Sequence, residues 1–210
     1  MAETSETTQS QPSNELQPEE TFVNAAGEVV TDDDFSVYEE AAQSDTTSLE
    51  SSVLDYRYKN GRRYHAYSQE KNYLMPNDDV EQDRLDLMHH IFLLLLDGEL
   101  FAAPIKQPQT ILDLGTGTGI WAIDIADKFP SARVIGNDLS AIQPSWVLPN
   151  LQFVIDDFEK EWMYEENYFD FIHARTLSGC VQDWRWLIQQ VLNHLKPGGY
   201  FEVAEFAMWA

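Results

Sequence analysis

Ile111-Leu112-Asp113-Leu114-Gly115-Thr116-Gly117-Thr118-Gly119 decides the reading of this 210-residue chain. The apolar run Thr110–Leu114 has the length and composition of a buried strand, and three alternating glycines end it. A helix pattern follows from about Gly119 to Lys128. Glycine accepts positive φ and lets a ligand approach the backbone with no Cβ in the way. The helix start presents free N–H groups and a partial positive charge. A dinucleotide-binding turn spaces its glycines G-x-G-x-x-G around a pyrophosphate. Here the spacing is G-x-G-x-G, with Asp113 two residues ahead of the first glycine. That argues against a nicotinamide oxidoreductase.

Downstream, strand and helix patterns alternate. Arg133–Asn137 reads as a second strand, Leu151–Ile155 as a third and Phe169–Ala174 as a fourth. Asp183 caps a helix running to about Leu195, Lys196-Pro197-Gly198-Gly199 is a turn, and Tyr200–Phe206 is a fifth strand. Apolar strands separated by helices imply a parallel sheet with right-handed crossovers, an α/β Rossmann-like doubly wound fold. Acids stand where such a sheet presents its ligand-binding ends. Asp138 follows the second strand, 19 residues after Gly119, and Asp156-Asp157-Phe158 follows the third. The connection Arg175–Gln182 is irregular and is expected to form part of a pocket.

S-adenosylmethionine has no phosphate, but its amino-acid end carries an ammonium and a carboxylate. An acid (Asp113) for the ammonium and glycine backbone for the carboxylate suit that end. An acid at Asp138 suits two ribose hydroxyls, and Asp157 with the Phe158 N–H suits an adenine edge. Each feature alone has an ordinary explanation as a turn or a helix cap; their order and spacing together make chance a poor account.

Upstream, Pro76–Asp79 reads as a helix start, with Asn77 or Asp78 as the cap and Glu81 in the first turn. Val80, Arg84, Leu85, Met88, Phe92 and Leu95 follow at helical spacing up to an Asp97-Gly98 stop. His89 and His90 lack a second ligand pair at metal spacing and read as packing or surface histidines, so no metal site is expected. Residues 53–76 bring Tyr56, Tyr58, Tyr64, Tyr67 and Tyr73 among basic groups, with no clean period. They read as an ordered but irregular arm.

The net charge of −23 is unevenly placed. Residues 1–50 hold thirteen acids and no Lys or Arg, leaving 23 acids against 13 bases in the remainder. The first segment, rich in polar residues and poor in large apolar ones, is expected to be a disordered acidic tail. A plain solvating role fits it, with a partner-binding motif as the alternative. Neither part offers the basic surface that direct nucleic-acid binding requires. Arg57, Lys59, Arg62, Arg63 and Lys71 form only a local cluster. Cys180 is the lone cysteine, so no intramolecular disulfide can form, which suits a reducing compartment. The first thirty residues do not read as a secretory signal, and the longest apolar run, Ile91–Leu96, is far short of a membrane span. The expected location is cytoplasmic and/or nuclear.

These residues resemble the class I S-adenosylmethionine-dependent methyltransferases, and Lys196-Pro197-Gly198-Gly199-Tyr200 looks like that superfamily's turn into strand five. More narrowly, several stretches are similar to the LaeA-like methyltransferases of filamentous fungi: Tyr56-Arg57-Tyr58, Asn60 through Tyr67, Pro76-Asn77-Asp78, Asp83-Arg84-Leu85-Asp86, and Gly119 through Asp124. The resemblance implies that Asp113, Gly115, Gly117 and Gly119 hold the methionine end, Asp138 the ribose, and Asp157 with Phe158 the adenine. Tyr64 and Tyr67 would close over the cofactor.

The resemblance divides the chain into a tail over 1–50, an arm and helix over 51–108 on the lid and substrate side, and the cofactor domain over 109–210. It also implies seven strands, so the two that would follow strand five are expected to be missing, leaving an exposed edge prone to self-association. Methyl transfer is an in-line displacement with a neutral leaving group, so alignment of the nucleophile and exclusion of water dominate. Tyr64, His65, Tyr67, His173 and Arg175 are the candidates for a base or positioning group. The acceptor, a small molecule or a protein, is not legible. The alternative reading is a cofactor-binding regulatory protein with little catalysis.

Overall fold

The chain divides into two units, Met1–Thr47 and Ser48–Ala210. The structure, a computed structural model, describes residues 56–65 and 75–206, all within the second unit. The acidic tail, Tyr67, Tyr73 and Ala207–Ala210 lie outside the described residues.

The central sheet has five strands: β3 (Thr110–Leu114), β4 (Arg133–Asp138), β5 (Leu151–Ile155), β6 (Phe169–Arg175) and β7 (Leu195–Ala204). Their order is β5-β4-β3-β6-β7, and every pairing is parallel. The expected doubly wound α/β sheet is therefore present, with the glycine stretch at the end of its central strand. β3 pairs first with β4 and then, on its other side, with β6; ligand crevices of open α/β sheets form at such a reversal.

Side chains alternate between the two faces. Leu112, Leu114, Ile135, Ile172 and Ala174 pack with Leu187 and Val191 of α3 (Trp184–His194). Ile111, Val134 and Phe171 pack with Trp121, Ala122 and Ile125 of α2 (Ile120–Lys128). Such a two-sided core is why the strands read as nearly continuous apolar runs. Asp183 caps α3 by accepting from the N–H groups of Arg185 and Trp186.

Three expectations need correcting. The arm is not wholly irregular: β1 (Arg57–Lys59) and β2 (Arg62–Tyr64) form an antiparallel hairpin. Its turn is Asn60-Gly61, both at positive φ (51° and 76°), the backbone that matches a hairpin's twist. In α1 (Asp79–Leu95), Val80 and Leu95 are not on the buried face. Glu81, His89 and Phe92 are buried there, because the contact stripe is rotated toward α2 and the cavity. Of the two caps that the sequence offers, Asp78 is the one used, accepting from the Glu81 N–H as expected.

The last strand begins at Leu195 rather than Tyr200. Leu195 pairs with Phe169 and Tyr200 with Phe171, so Lys196–Gly199 bulge out within the strand, with Gly198 at φ 85°. Among the described strands β7 has one neighbour, and Tyr200, Val203 and Phe206 are exposed. No helix among the described residues is long and apolar enough to cross a membrane.

Candidate functional site

The glycine loop is a hydrogen-bonded knot at the end of β3. Gly115, Gly117 and Gly119 have φ of 65°, 59° and 82°, all in the left-handed region. The Thr116 N–H donates to the Asn137 carbonyl at 2.9 Å, and the Gly117 N–H to Asp138 Oδ2 at 2.9 Å. The Gly119 N–H donates to the Thr116 carbonyl at 2.9 Å, and the Gly115 N–H reaches Asn137 Oδ1 at 3.4 Å.

The three glycines serve different neighbours. A Cβ on Gly119 would overlap the Phe153 ring of β5, and one on Gly115 would stand 2.7 Å from Leu177 Cδ2. At Gly117 the nearest atom is Leu85 Cδ1, at 3.2 Å, and the residue lines the cavity.

Asp138 is the hub of the cavity floor. Its Oδ1 accepts the Ser140 N–H at 2.9 Å while Oδ2 accepts that of Gly117. Burial pushes its carboxyl up to about 6, against the pull of those N–H donors. The Leu139 N–H also points to this carboxylate, which lines the cavity and keeps lone-pair capacity for a hydroxyl donor there.

Asp113 and His173 are cross-strand neighbours on the face covered by α2. His173 Nδ1 donates to Asp113 Oδ1 at 2.7 Å, and the Thr116 hydroxyl donates to Asp113 Oδ2 at 2.6 Å. The imidazole stacks on Trp121, with centroids 3.7 Å apart and planes at 7°. Both residues are buried, in the wall of the smaller of two cavities.

Two adjoining cavities open at the carboxyl ends of the strands. The larger is lined by Gly115, Gly117, Asp138, Asp157, Phe158 and Arg175, together with α1 and the 176–182 connection. The smaller is lined by Asp113, Gly115, Gly117, His173 and Arg175. Gly119, Tyr64 and His65 line neither. The Arg175–Gln182 connection is fixed at both ends: Glu205 accepts from the Leu177 and Ser178 N–H groups, and Glu159 from those of Gln182 and Asp183.

Residues 75–77 and α1 close the opposite side, and the hairpin packs against Asn77 and Asp78 outside the cavity. Tyr56 donates its hydroxyl to the Ala141 carbonyl at 3.0 Å. The Asn77 side chain donates to Ser140 Oγ at 3.3 Å, and the Asn77 N–H to the Arg63 carbonyl at 2.7 Å.

A group that sequence reasoning left as packing completes the site. His89 of α1 bridges Asp124 of α2, at 2.9 Å from Nε2, and Arg175, at 3.1 Å from Nδ1. A guanidinium only donates, so Nδ1 accepts and Nε2–H donates to Asp124. Burial and then the Arg175 charge hold the imidazole below its usual pKa, consistent with this neutral form. Arg175 also lies over the Phe92 ring, 4.9 Å from its centroid, and burial lowers its pKa from the ordinary arginine value. No sequence spacing signals this trio, because its members come from three elements.

Comparison with known proteins follows the same outline. A family model described as a methyltransferase domain matches residues 87–209. The chain is 51% identical over 164 residues to methyltransferase pytC of Aspergillus terreus, covering 77% of this chain and 50% of that protein. It is 45% identical over 150 residues to the secondary metabolism regulator laeA of Aspergillus flavus, covering 70% of this chain and 40% of that one. The chain thus spans about half the length, or less, of these curated relatives. Among solved structures it is similar to a chain of the complex between the Haloferax volcanii Trm112 methyltransferase activator and a methyltransferase. There the TM-score is 0.51 at 21% identity, over 60% of this chain and 56% of that one, a likeness of fold.

Proposed function

The chain belongs to the methyltransferase domain family, and from that premise we propose that its paired cavities hold S-adenosylmethionine for methyl transfer to an acceptor. The observation that carries the reading is the convergence of Gly115, Gly117, Asp138, Asp157 and Phe158 on one cavity at the strand ends. The residues present fit the cofactor. Asp138 retains acceptor capacity toward the cavity for a ribose hydroxyl, and Gly117 keeps the floor open where a side chain would intrude. Asp157 and Phe158 stand ready for the adenine.

Bound there, the cofactor supplies an electrophilic methyl on a sulfonium. The chain's own residues orient and enclose. Asp138 holds the ribose, the 176–182 connection and α1 wall off water, and the acceptor is aligned from the side of the arm. His173, packed on Trp121 and bonded to Asp113, positions the loop rather than exchanging protons with an acceptor. Residues 109–210 form the cofactor domain in this reading, 51–108 the lid side and 1–50 an acidic, solvating tail, with partner binding the alternative. The relatives' printed roles extend to a proposal for the acceptor: a small molecule of fungal secondary metabolism, or a protein that regulates it. A cytoplasmic and/or nuclear location suits either.

Calorimetry of the full chain with S-adenosylhomocysteine and with NAD tests the cofactor reading. The expected result is binding of the first and not the second; tighter binding of NAD overturns it.

A further inference from the structure

The loop that the sequence offers for the cofactor's carboxylate has already spent most of its donors. The N–H groups of Gly115, Thr116, Gly117 and Gly119 point to Asn137, Asp138 and Thr116 within the protein. A carboxylate entering the cavities therefore gains from a further, charged donor. Two arginines line them. Arg84 makes two hydrogen bonds to Glu81, at 3.0 and 2.6 Å. Arg175 is different: it lines both cavities, and its resolved partners are an aromatic face and a neutral imidazole nitrogen. Among the described residues it enters no ion pair. A largely buried guanidinium without a carboxylate is costly unless a ligand supplies one.

We propose that Arg175 is the carboxylate-binding residue of the site, taking the methionine carboxylate of the cofactor, and that the Asp124–His89 pair positions it. The geometry fixes how. Asp124 accepts from His89 Nε2–H, which leaves Nδ1 with its lone pair toward Arg175. One guanidinium N–H is held there while the ring of Phe92 supports the flat face, and the remaining N–H groups are left for a planar, two-oxygen partner. Arg175 ends β6, the strand that carries His173 beside Asp113. The cation thus stands near the acid suited to the ligand's ammonium, so the two charges of an amino-acid end meet opposite charges in adjoining cavities.

This inference rests on the cofactor reading above, and two ligands separate them. S-adenosylhomocysteine carries the amino-acid end; 5′-methylthioadenosine has the same adenine and ribose without it. Calorimetry on the full chain is expected to show Arg175→Gln weakening S-adenosylhomocysteine by about tenfold or more, the loss of charge-assisted bonds. Methylthioadenosine should be bound unchanged, which also shows the cavity intact. Arg175→Lys should recover part of the loss. Asp124→Ala, at a half-exposed position, should weaken only the ligand that carries the carboxylate. Equal losses for both ligands would make Arg175 a packing residue and overturn the proposal. Unchanged S-adenosylhomocysteine binding would also overturn it and assign the cation to an acidic acceptor. If the unaltered chain binds neither ligand, the cofactor reading falls and this inference with it. If it binds both equally well, the cofactor reading stands and this inference alone is overturned.

Discussion

Asp138 and Gly117 are joined by a 2.9 Å hydrogen bond from the glycine N–H to the carboxylate, so the end of β4 and the loop after β3 move as one piece. The same carboxylate faces the cavity and is pushed up to about 6 by burial.

That shift sets a pH dependence. A carboxyl whose folded pKa lies above its unfolded value contributes stability below the unfolded pKa and loses it as pH rises through the folded one. The ligand-free chain is therefore expected to lose up to about 3 kcal/mol from this group between roughly pH 4 and 6. Thermal melts across that range should show the decline, and Asp138→Asn, which does not titrate, should flatten it even if the variant is less stable overall. Identical slopes in both proteins would refute the assignment.

Asp78 acts in the opposite sense. The Arg62 guanidinium holds its carboxyl down at about 2, and it also caps α1. Its contribution is present above the ordinary aspartate range and is lost as pH falls toward that value. Asp78→Ala should lower Tm near neutral pH, and the gap to the unaltered chain should narrow on acidification from about pH 4. A gap that stays constant down to the acid limit would mean that only backbone effects are lost.

Gly119→Ala should unfold the sheet locally while Gly117→Ala leaves it standing. Both impose left-handed strain, about 1–3 kcal/mol for a non-glycine residue. Only Gly119 adds a collision with a ring, that of Phe153, and Leu85 at Gly117 is a flexible neighbour. Phe153→Leu placed with Gly119→Ala should restore part of the lost urea stability. Calorimetry should then show Gly117→Ala weakened in S-adenosylhomocysteine binding although its melt falls less than that of Gly119→Ala. No rescue by the second substitution would assign the Gly119 requirement to the backbone alone.

His173→Phe is expected to preserve the stack on Trp121 and remove the donor to Asp113. Leaving a buried acceptor short of a partner costs about 1–3 kcal/mol, readable in urea melts. Methyl transfer at saturating cofactor should fall little in the folded fraction once an acceptor is in hand. A collapse of turnover without loss of stability would restore His173 as a catalytic residue.

The sheet was legible because its signals are local. Each strand is a short apolar run, and Asp138, Asp157 and the glycines sit at run ends, where parallel sheets place their ligands. The hairpin at Asn60-Gly61 escaped a search for periodicity, since three-residue strands hold too few positions to show a period; the dipeptide itself was the usable signal. The demand for glycine at position 119 comes from Phe153, two strands away, and no spacing announces it. The Asp124–His89–Arg175 chain was hidden for the same reason. The buried stripe of α1 was misjudged at Val80 and Leu95, whose exposure depends on where α2 lies.

Sheet order also governs the order of assembly. β3 and β4 are joined by α2 alone, so loop closure between them costs little, and the Gly117–Asp138 bond can form as soon as they pair. β6, which supplies His173 and Arg175, docks on the other side of β3 only after β5 and its long connection have been synthesised. Closing that longer loop is slower. During synthesis on the ribosome the half of the crevice that Gly117 and Asp138 line would thus exist before the half that carries Arg175.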